Sequence, residues 1–244
     1  ARDWGLRDPR WHGIVERQRR VCGADVRVLE ALDPGAGEPH LFVHGLGSAS
    51  PTWLEVLPAF ARLGPVAAFD LPGHGETIPS RGAPATVDGF VAVAAALIGA
   101  LGWGRCVVHG HSVGAAVALR LAAEHPELVS QVVFAAPALP VKLRPAILPG
   151  RTSLATTGVL LLPFVGPLLL QRYVKLNSDG VMSDLDSLNA GFANIRGLPS
   201  ATLQSFVYEA RGLVHRPWRR DGLISATRSL FFELLGPAGL RRVQ

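Results

Sequence analysis

Cys106-Val107-Val108-His109-Gly110-His111-Ser112-Val113-Gly114-Ala115-Ala116 joins an apolar run, a Gly-x-Ser-x-Gly turn and the opening of an Ala-rich helix within eleven residues. The apolar run reads as a buried strand. Glycines at 110 and 114 remove the β-carbons that would clash in a sharp strand-to-helix turn, so Ser112 can project from the strand's end in a strained backbone conformation. At the start of the following helix, exposed N–H groups favour developing negative charge. This setting, more than the motif alone, makes Ser112 the candidate nucleophile.

Working outward, short apolar runs alternate with helical stretches. The runs are Leu41 to Val43, Val66 to Phe69, Cys106 to Val108 and Val129 to Ala135; the helical segments are Trp53 to Leu63, Val87 to Leu101 and Ser112 to His125. Ahead of them, Ile14 to Val21 and Val26 to Leu32 flank a Gly23 turn and read as a two-stranded antiparallel start. Repeated strand and helix predict an α/β fold, a doubly wound and mostly parallel sheet with active-site residues at the carboxyl ends of its strands. The rhythm breaks at Pro137. From there to Pro217 the chain is punctuated by Pro and Gly, and from Asp221 to Leu235 it reads as helix again, with Asp221 or Ser225 as its cap.

Two further motifs follow strands. His44-Gly45-Leu46-Gly47 comes after Leu41 to Val43, about seventy residues before Ser112, where the second half of an oxyanion hole is expected. Backbone N–H groups stabilise a tetrahedral intermediate without reorganising, which nominates the amides of Leu46 and Val113. His44 is expected to support the loop by hydrogen bonding rather than to transfer protons. Asp70-Leu71-Pro72-Gly73-His74-Gly75 comes after Val66 to Phe69; its Pro-Gly-x-Gly turn needs unusual backbone angles, and Asp70 is expected to bond loop amides. No cluster has the spacing of a metal site and no phosphate-binding glycine loop is present, so no cofactor and no metal is expected.

H-G-L-G, D-L-P-G-H-G and G-H-S-V-G, in this order and spacing, resemble the α/β-hydrolase superfamily over about Ile14 to Gln244. The resemblance implies an eight-stranded sheet, a helical cap inserted after the sixth strand, and a Ser, acid, His triad in that chain order. Ser112 matches the family's nucleophile, and Leu46 and Val113 its oxyanion donors; His44, Gly45, Gly47, Asp70, Gly73, His74, Gly110, His111 and Gly114 fall on its supporting motifs. The organisation expected is a hydrolase core over residues 1–137, a cap over 138–217 and a core helix over 218–244.

After the cap the sequence departs from the family. The family's acid follows the seventh strand and its histidine the eighth, and neither pattern is found, so some forty to fifty further residues are expected beyond Gln244, since two strands, their loops and a helix need about that many. A chain of residues 1–244 alone is then expected to turn over little substrate. The alternative is a complete small enzyme using Asp184 or Asp186 with His215, a set in the right order but in polar or cap-like contexts.

Composition narrows the function classes. The net charge of +5 comes from 22 scattered Arg and 2 Lys, with no basic face or aromatic interleaving, so nucleic acid is not an expected partner. Cys22 and Cys106 read as small core residues. The chain begins with Ala1 and a charged stretch, so a natural start upstream is expected, with no signal peptide in view and a cytoplasmic location. Ser153 to Leu170 is eighteen residues without a charge, but Pro163, Gly166 and Pro167 break it, favouring an apolar lid over a membrane span. The function expected is a carboxylesterase- or lipase-like serine hydrolase acting on a small hydrophobic ester-like or ketone substrate. Carbon–carbon bond hydrolysis by the same machinery, a non-catalytic scaffold of this fold, and membrane association through 153–170 are the alternatives.

Overall fold

The computed structural model describes residues 11, 13–138, 212 and 215–235. Six strands are found among them: β1 (Ile14–Val21), β2 (Ala24–Ala31), β3 (His40–Val43), β4 (Val66–Phe69), β5 (Cys106–His111) and β6 (Val129–Ala135). They form one sheet in the order β1-β2-β4-β3-β5-β6. β1 pairs antiparallel with β2 and β2 with β4, while β4, β3, β5 and β6 run parallel. The expected α/β class and mostly parallel sheet are therefore present.

The central strands are continuous apolar runs because both of their faces are covered. Along β3, Leu41 and Val43 join one core and Phe42 the other; along β4, Ala67 and Phe69 oppose Val66 and Ala68. The larger core lies under α2 (Val87–Ala100) and α3 (Val113–Glu124), and the smaller under Trp11, a 3-10 turn at Ser50–Trp53 and α1 (Leu57–Ala61). The segment expected as one helix from Trp53 to Leu63 is thus a 3-10 turn followed by a short α-helix. Thr86 caps α2 by accepting the Gly89 N–H at 3.2 Å, a contact worth about 1 kcal/mol.

In the β1–β2 hairpin Val21 faces Ala24, leaving Cys22-Gly23 as a two-residue turn with φ of 50° and 72°. Two positive φ values match the twist of the flanking strands. Cys22 is therefore a half-buried turn residue packed against the edge of the larger core, whereas Cys106 is buried within it.

The last described helix, α4, runs from Pro217 to Leu235, and Asp221 and Ser225 lie inside it rather than at its cap. A proline at the first helical position sacrifices no hydrogen bond and has the helical φ already set. The helix crosses the Asp70–Gly75 loop where Gly222 meets Gly73: a β-carbon on Gly73 would lie 2.7 Å from the Gly222 Cα. Farther along, the Ser229 hydroxyl accepts the Val87 N–H at 2.9 Å. Arg120 on α3 holds Asp88 of α2 at 2.5 Å and Glu233 of α4 at 3.5 Å, tying three helices together.

Beneath the loops at the carboxyl ends of the strands lies a fully buried ion pair. Arg27 of β2 places Nη2 3.0 Å from Oδ1 and Nε 2.6 Å from Oδ2 of Asp70, just past β4. The same carboxylate accepts the Ser50 N–H at 2.8 Å and the Glu76 N–H at 2.7 Å. Removing one charge from such a pair strands the other in low dielectric. Asp70→Asn is expected to destabilise the protein by about 3–5 kcal/mol, read as a lowered urea midpoint at pH 7. A midpoint equal to that of the parent would show that the pair is dispensable.

Candidate active site

β5 does not stop at Val108 but continues through His109, Gly110 and His111, bringing the chain directly to Ser112. There the backbone reverses into α3 with Ser112 at φ 53° and ψ −115°. A non-glycine residue at such angles costs about 1–3 kcal/mol and persists only where the surroundings over-determine it. Here they do so. The Ser112 N–H donates to the Ala135 carbonyl at 3.1 Å, and its own carbonyl accepts the N–H groups of Ala115 (3.0 Å) and Ala138 (3.1 Å).

The flanking glycines are required by close packing. A β-carbon on Gly110 would strike the Gly114 carbonyl and lie 2.6 Å from the Ala115 Cα; one on Gly114 would strike the Val43 carbonyl of β3. The Ser112 side chain does not cap α3, and the residue is half-buried.

The His44–Gly47 loop packs against this turn: a β-carbon on Gly45 would lie 3.1 Å from the Ser112 Cβ and 2.9 Å from the His111 Nδ1. The loop closes with the Ser48 N–H on the Gly45 carbonyl at 3.2 Å, and Gly47 takes φ 71°. The Leu46 N–H has no backbone partner among the described residues. Val113 is the first residue of α3, where no carbonyl four residues back is available to its N–H. The structure thus brings together Ser112, Gly45, Leu46 and Val113.

His44 lies behind the loop, fully buried. The Leu71 N–H donates to its Nε2 at 3.0 Å, so Nδ1 carries the proton and donates to the Gly45 carbonyl at 2.8 Å. Burial, with His74 nearby, lowers its pKa to about 3. His74 is buried as well, with Nδ1 donating to the Pro72 carbonyl at 3.2 Å, and burial lowers its pKa to about 4. For Asp70, burial acts to raise the pKa, but the Arg27 charge and hydrogen bonds prevail and lower it. Asp70 is therefore an ionised acceptor for loop amides, and neither His44 nor His74 is poised to take a proton near neutrality.

His111, half-buried against Gly45, has its pKa lowered by burial. His109 packs against the smaller core instead: it stacks on Phe42 at 4.4 Å between ring centres, and its Nε2 lies 3.0 Å from the His40 Nδ1. Burial, with His40 beside it, lowers its pKa to about 4. His215 is exposed ahead of α4, and Asp184 and Asp186 lie outside the described residues, as do the stretch 153–170 and nearly all of the expected cap. No group of three metal-binding side chains occurs among the described residues, and none of their helices is long and apolar enough to cross a membrane.

Sequence reasoning misses Arg27 and Glu76. Arg27 stands between Val26 and Val28 in a strand, a pattern that ordinarily places a charge on a solvent face. Its buried partner is 43 positions away.

Known proteins resemble this chain in both sequence and fold. The dihydrolipoyllysine-residue acetyltransferase component of the acetoin cleaving system of Cupriavidus necator is 37% identical over 112 residues, 46% of this chain and 30% of that protein. Lipase LipV of Mycobacterium tuberculosis is 39% identical over 111 residues, 46% of this chain and 41% of the lipase. The chain thus spans well under half the length of these curated relatives. Among solved structures, Cfl2 from Burkholderia cenocepacia superposes with a TM-score of 0.73 at 22% identity, covering 97% of this chain and 78% of its own. Haloalkane dehalogenase DatA from Agrobacterium tumefaciens C58 gives 0.70 at 20% identity, covering 95% and 73%. At those identities the likeness is one of fold. The family model of the alpha/beta hydrolase fold matches residues 39–175, more than half of the chain, and the chain belongs to that family.

Proposed function

We propose that this chain supplies the nucleophile and oxyanion hole of a serine hydrolase that cleaves an ester-like bond in a small hydrophobic substrate. The observation that carries the reading is Ser112 held at positive φ between β5 and α3, with the Gly45 backbone packed against its Cβ. In the reaction, the Ser112 Oγ attacks the carbonyl carbon while a histidine takes its proton. The negative charge on the carbonyl oxygen is met by the Leu46 and Val113 N–H groups. Collapse of that intermediate expels the alcohol, which receives the proton from the imidazolium, and water then releases the acyl group by the same steps. The histidine is sought outside His44, His74 and His109, whose ring contacts and burial keep them neutral. The lipase relative supports carbonyl chemistry of this kind. The uncharged stretch 153–170 favours an apolar substrate.

A fluorophosphonate probe tests the proposal in the full-length protein. Labelling is expected to disappear in Ser112→Ala, and turnover of a short-chain p-nitrophenyl ester to fall by a factor on the order of 10⁴ to 10⁶. Labelling that survives the substitution would move the nucleophile away from Ser112, and absence of labelling in the unaltered protein would leave a scaffold.

The buried histidines give a second expectation. His44, His74 and His109 have folded pKa values of about 3, 4 and 4, below the ordinary histidine value, so the unfolded chain binds more protons in between. Their contribution is complete above about pH 6.5 and is lost as the pH falls toward 4, at up to about 1.4 kcal/mol per pH unit for each histidine. Urea midpoints are expected to drop between pH 7 and pH 5. A flat profile there would contradict the neutral buried state.

A further inference from the structure

Glu76 and Arg219 form a buried contact that the mechanism above does not use. Arg219, on the first turn of α4, is 2% exposed, and the Glu76 side chain is 7% exposed. The Arg219 Nη2 lies 2.9 Å from the Glu76 Oε1, its Nε donates to the Gly75 carbonyl, and Arg216 reaches the same carboxylate oxygen. The guanidinium therefore grips the Pro-Gly-x-Gly turn at two consecutive residues. A planar two-point donor fixes both distance and orientation, which a lysine ammonium does not.

The gripped turn leads directly to the oxyanion loop. The Glu76 N–H is held by Asp70; Leu71, next to Asp70, donates its N–H to the His44 Nε2; and the His44 Nδ1–H holds the Gly45 carbonyl, one residue before Leu46. The three hydrogen bonds join buried or half-buried groups, and the steps from Asp70 to Leu71 and from Gly45 to Leu46 are along the backbone. The Gly73–Gly222 contact presses α4 onto the same turn, and a β-carbon on Gly47 would lie 3.7 Å from the Leu223 Cδ1, so α4 also reaches the far end of that loop.

We propose that Arg219, acting through the Glu76 carboxylate and the Gly75 carbonyl, is a positioning residue that sets the Leu46 N–H against Ser112. The proposal rests on the Ser112 reading for its catalytic consequence, while the coupling of α4 to the His44–Gly47 loop stands on geometry alone. Loosening the pin displaces a donor needed only once charge develops, so kcat falls and KM stays nearly constant.

The test uses Arg219→Lys, Arg219→Ala and the double variant Glu76→Gln/Arg219→Met in the full-length protein. The double variant removes both buried charges of the pair, and Arg216, which also faces Glu76, is 19% exposed and keeps contact with water. Amide hydrogen exchange is followed in peptides covering 43–48 and, as a reference, the middle of α3, together with p-nitrophenyl ester kinetics and fluorophosphonate labelling rates. Exchange at 43–48 is expected to quicken at least tenfold in all three variants while α3 is unchanged. The expected kinetics are a tenfold or greater fall in kcat, KM within twofold of the parent, and a parallel fall in labelling rate, with Lys failing to restore them. Unchanged exchange at 43–48, full rescue by Lys, or loss of protection throughout the protein would overturn the pin. A parent that neither labels nor turns over ester overturns the Ser112 reading instead, and the exchange data still decide the coupling.

Discussion

The Asp70 carboxylate is held out of water at the end of β4 and faces Arg27 of β2. An isolated carboxylate in that place would be prohibitively unstable, so its neighbours must supply donors, and they come from three separate parts of the chain. Arg27 contributes its guanidinium, Ser50 and Glu76 their backbone N–H groups, and the Asp70 N–H itself is taken by the Arg27 carbonyl at 3.0 Å. Satisfying one buried charge thereby places the loop after β3, the turn after β4 and the antiparallel strand β2 in one frame. Such a pair adds little net stability over apolar packing, but its geometry is demanding. What it contributes here is a defined arrangement of loops over the strand ends.

The backbone at Ser112 draws on that frame. Its φ is held by bonds to Ala135 and Ala138, and the start of α3 lies against the Val43 carbonyl, leaving no room for a β-carbon at Gly114. Three parallel strands therefore meet at one turn, Ser112 to Gly114, through main-chain contacts. Side chains contribute by what they lack: Gly45, Gly110 and Gly114 allow approaches that alanine would block. The histidines around the site are, for the same reason, mostly structural. His44 uses both ring nitrogens on the main chain, and His109 lies among aromatic rings in the smaller core.

Elements whose formation depends on local pattern were legible in the sequence. Val66 to Phe69 coincides with β4, because a strand covered on both faces reads as an unbroken apolar run, and Val129 to Ala135 coincides with β6, which keeps Val133 and Phe134 exposed. β5 is longer than its apolar run because backbone pairing continues past His109, whose ring finds Phe42 rather than water. α4 begins at Pro217 rather than at a polar cap, a signal that Pro217 carries only when it stands at a helix start. The Gly-x-Ser-x-Gly turn and its location were visible because steric necessity dictates the glycines. Arg27 and Glu76 were not visible. Their partners Asp70 and Arg219 lie 43 and 143 positions away, and no local pattern distinguishes a charge destined for burial from one on a surface.

The hydrogen bond from the Ser112 N–H to Ala135 also bears on the order in which the molecule can be assembled. β3 and β5 are brought side by side only after the segment between Val43 and Cys106 has been closed into a loop, and β6 reaches β5 across α3; non-local contacts of this kind form more slowly than helices. Until β6 is docked beside β5, the Ala135 and Ala138 contacts are missing, and Ser112 loses part of what holds it in its unfavourable backbone region. A partly folded chain with α2 and α3 already packed would therefore contain the serine but not its strained geometry. Reactivity at Ser112 would then report completion of the sheet rather than the presence of its helices.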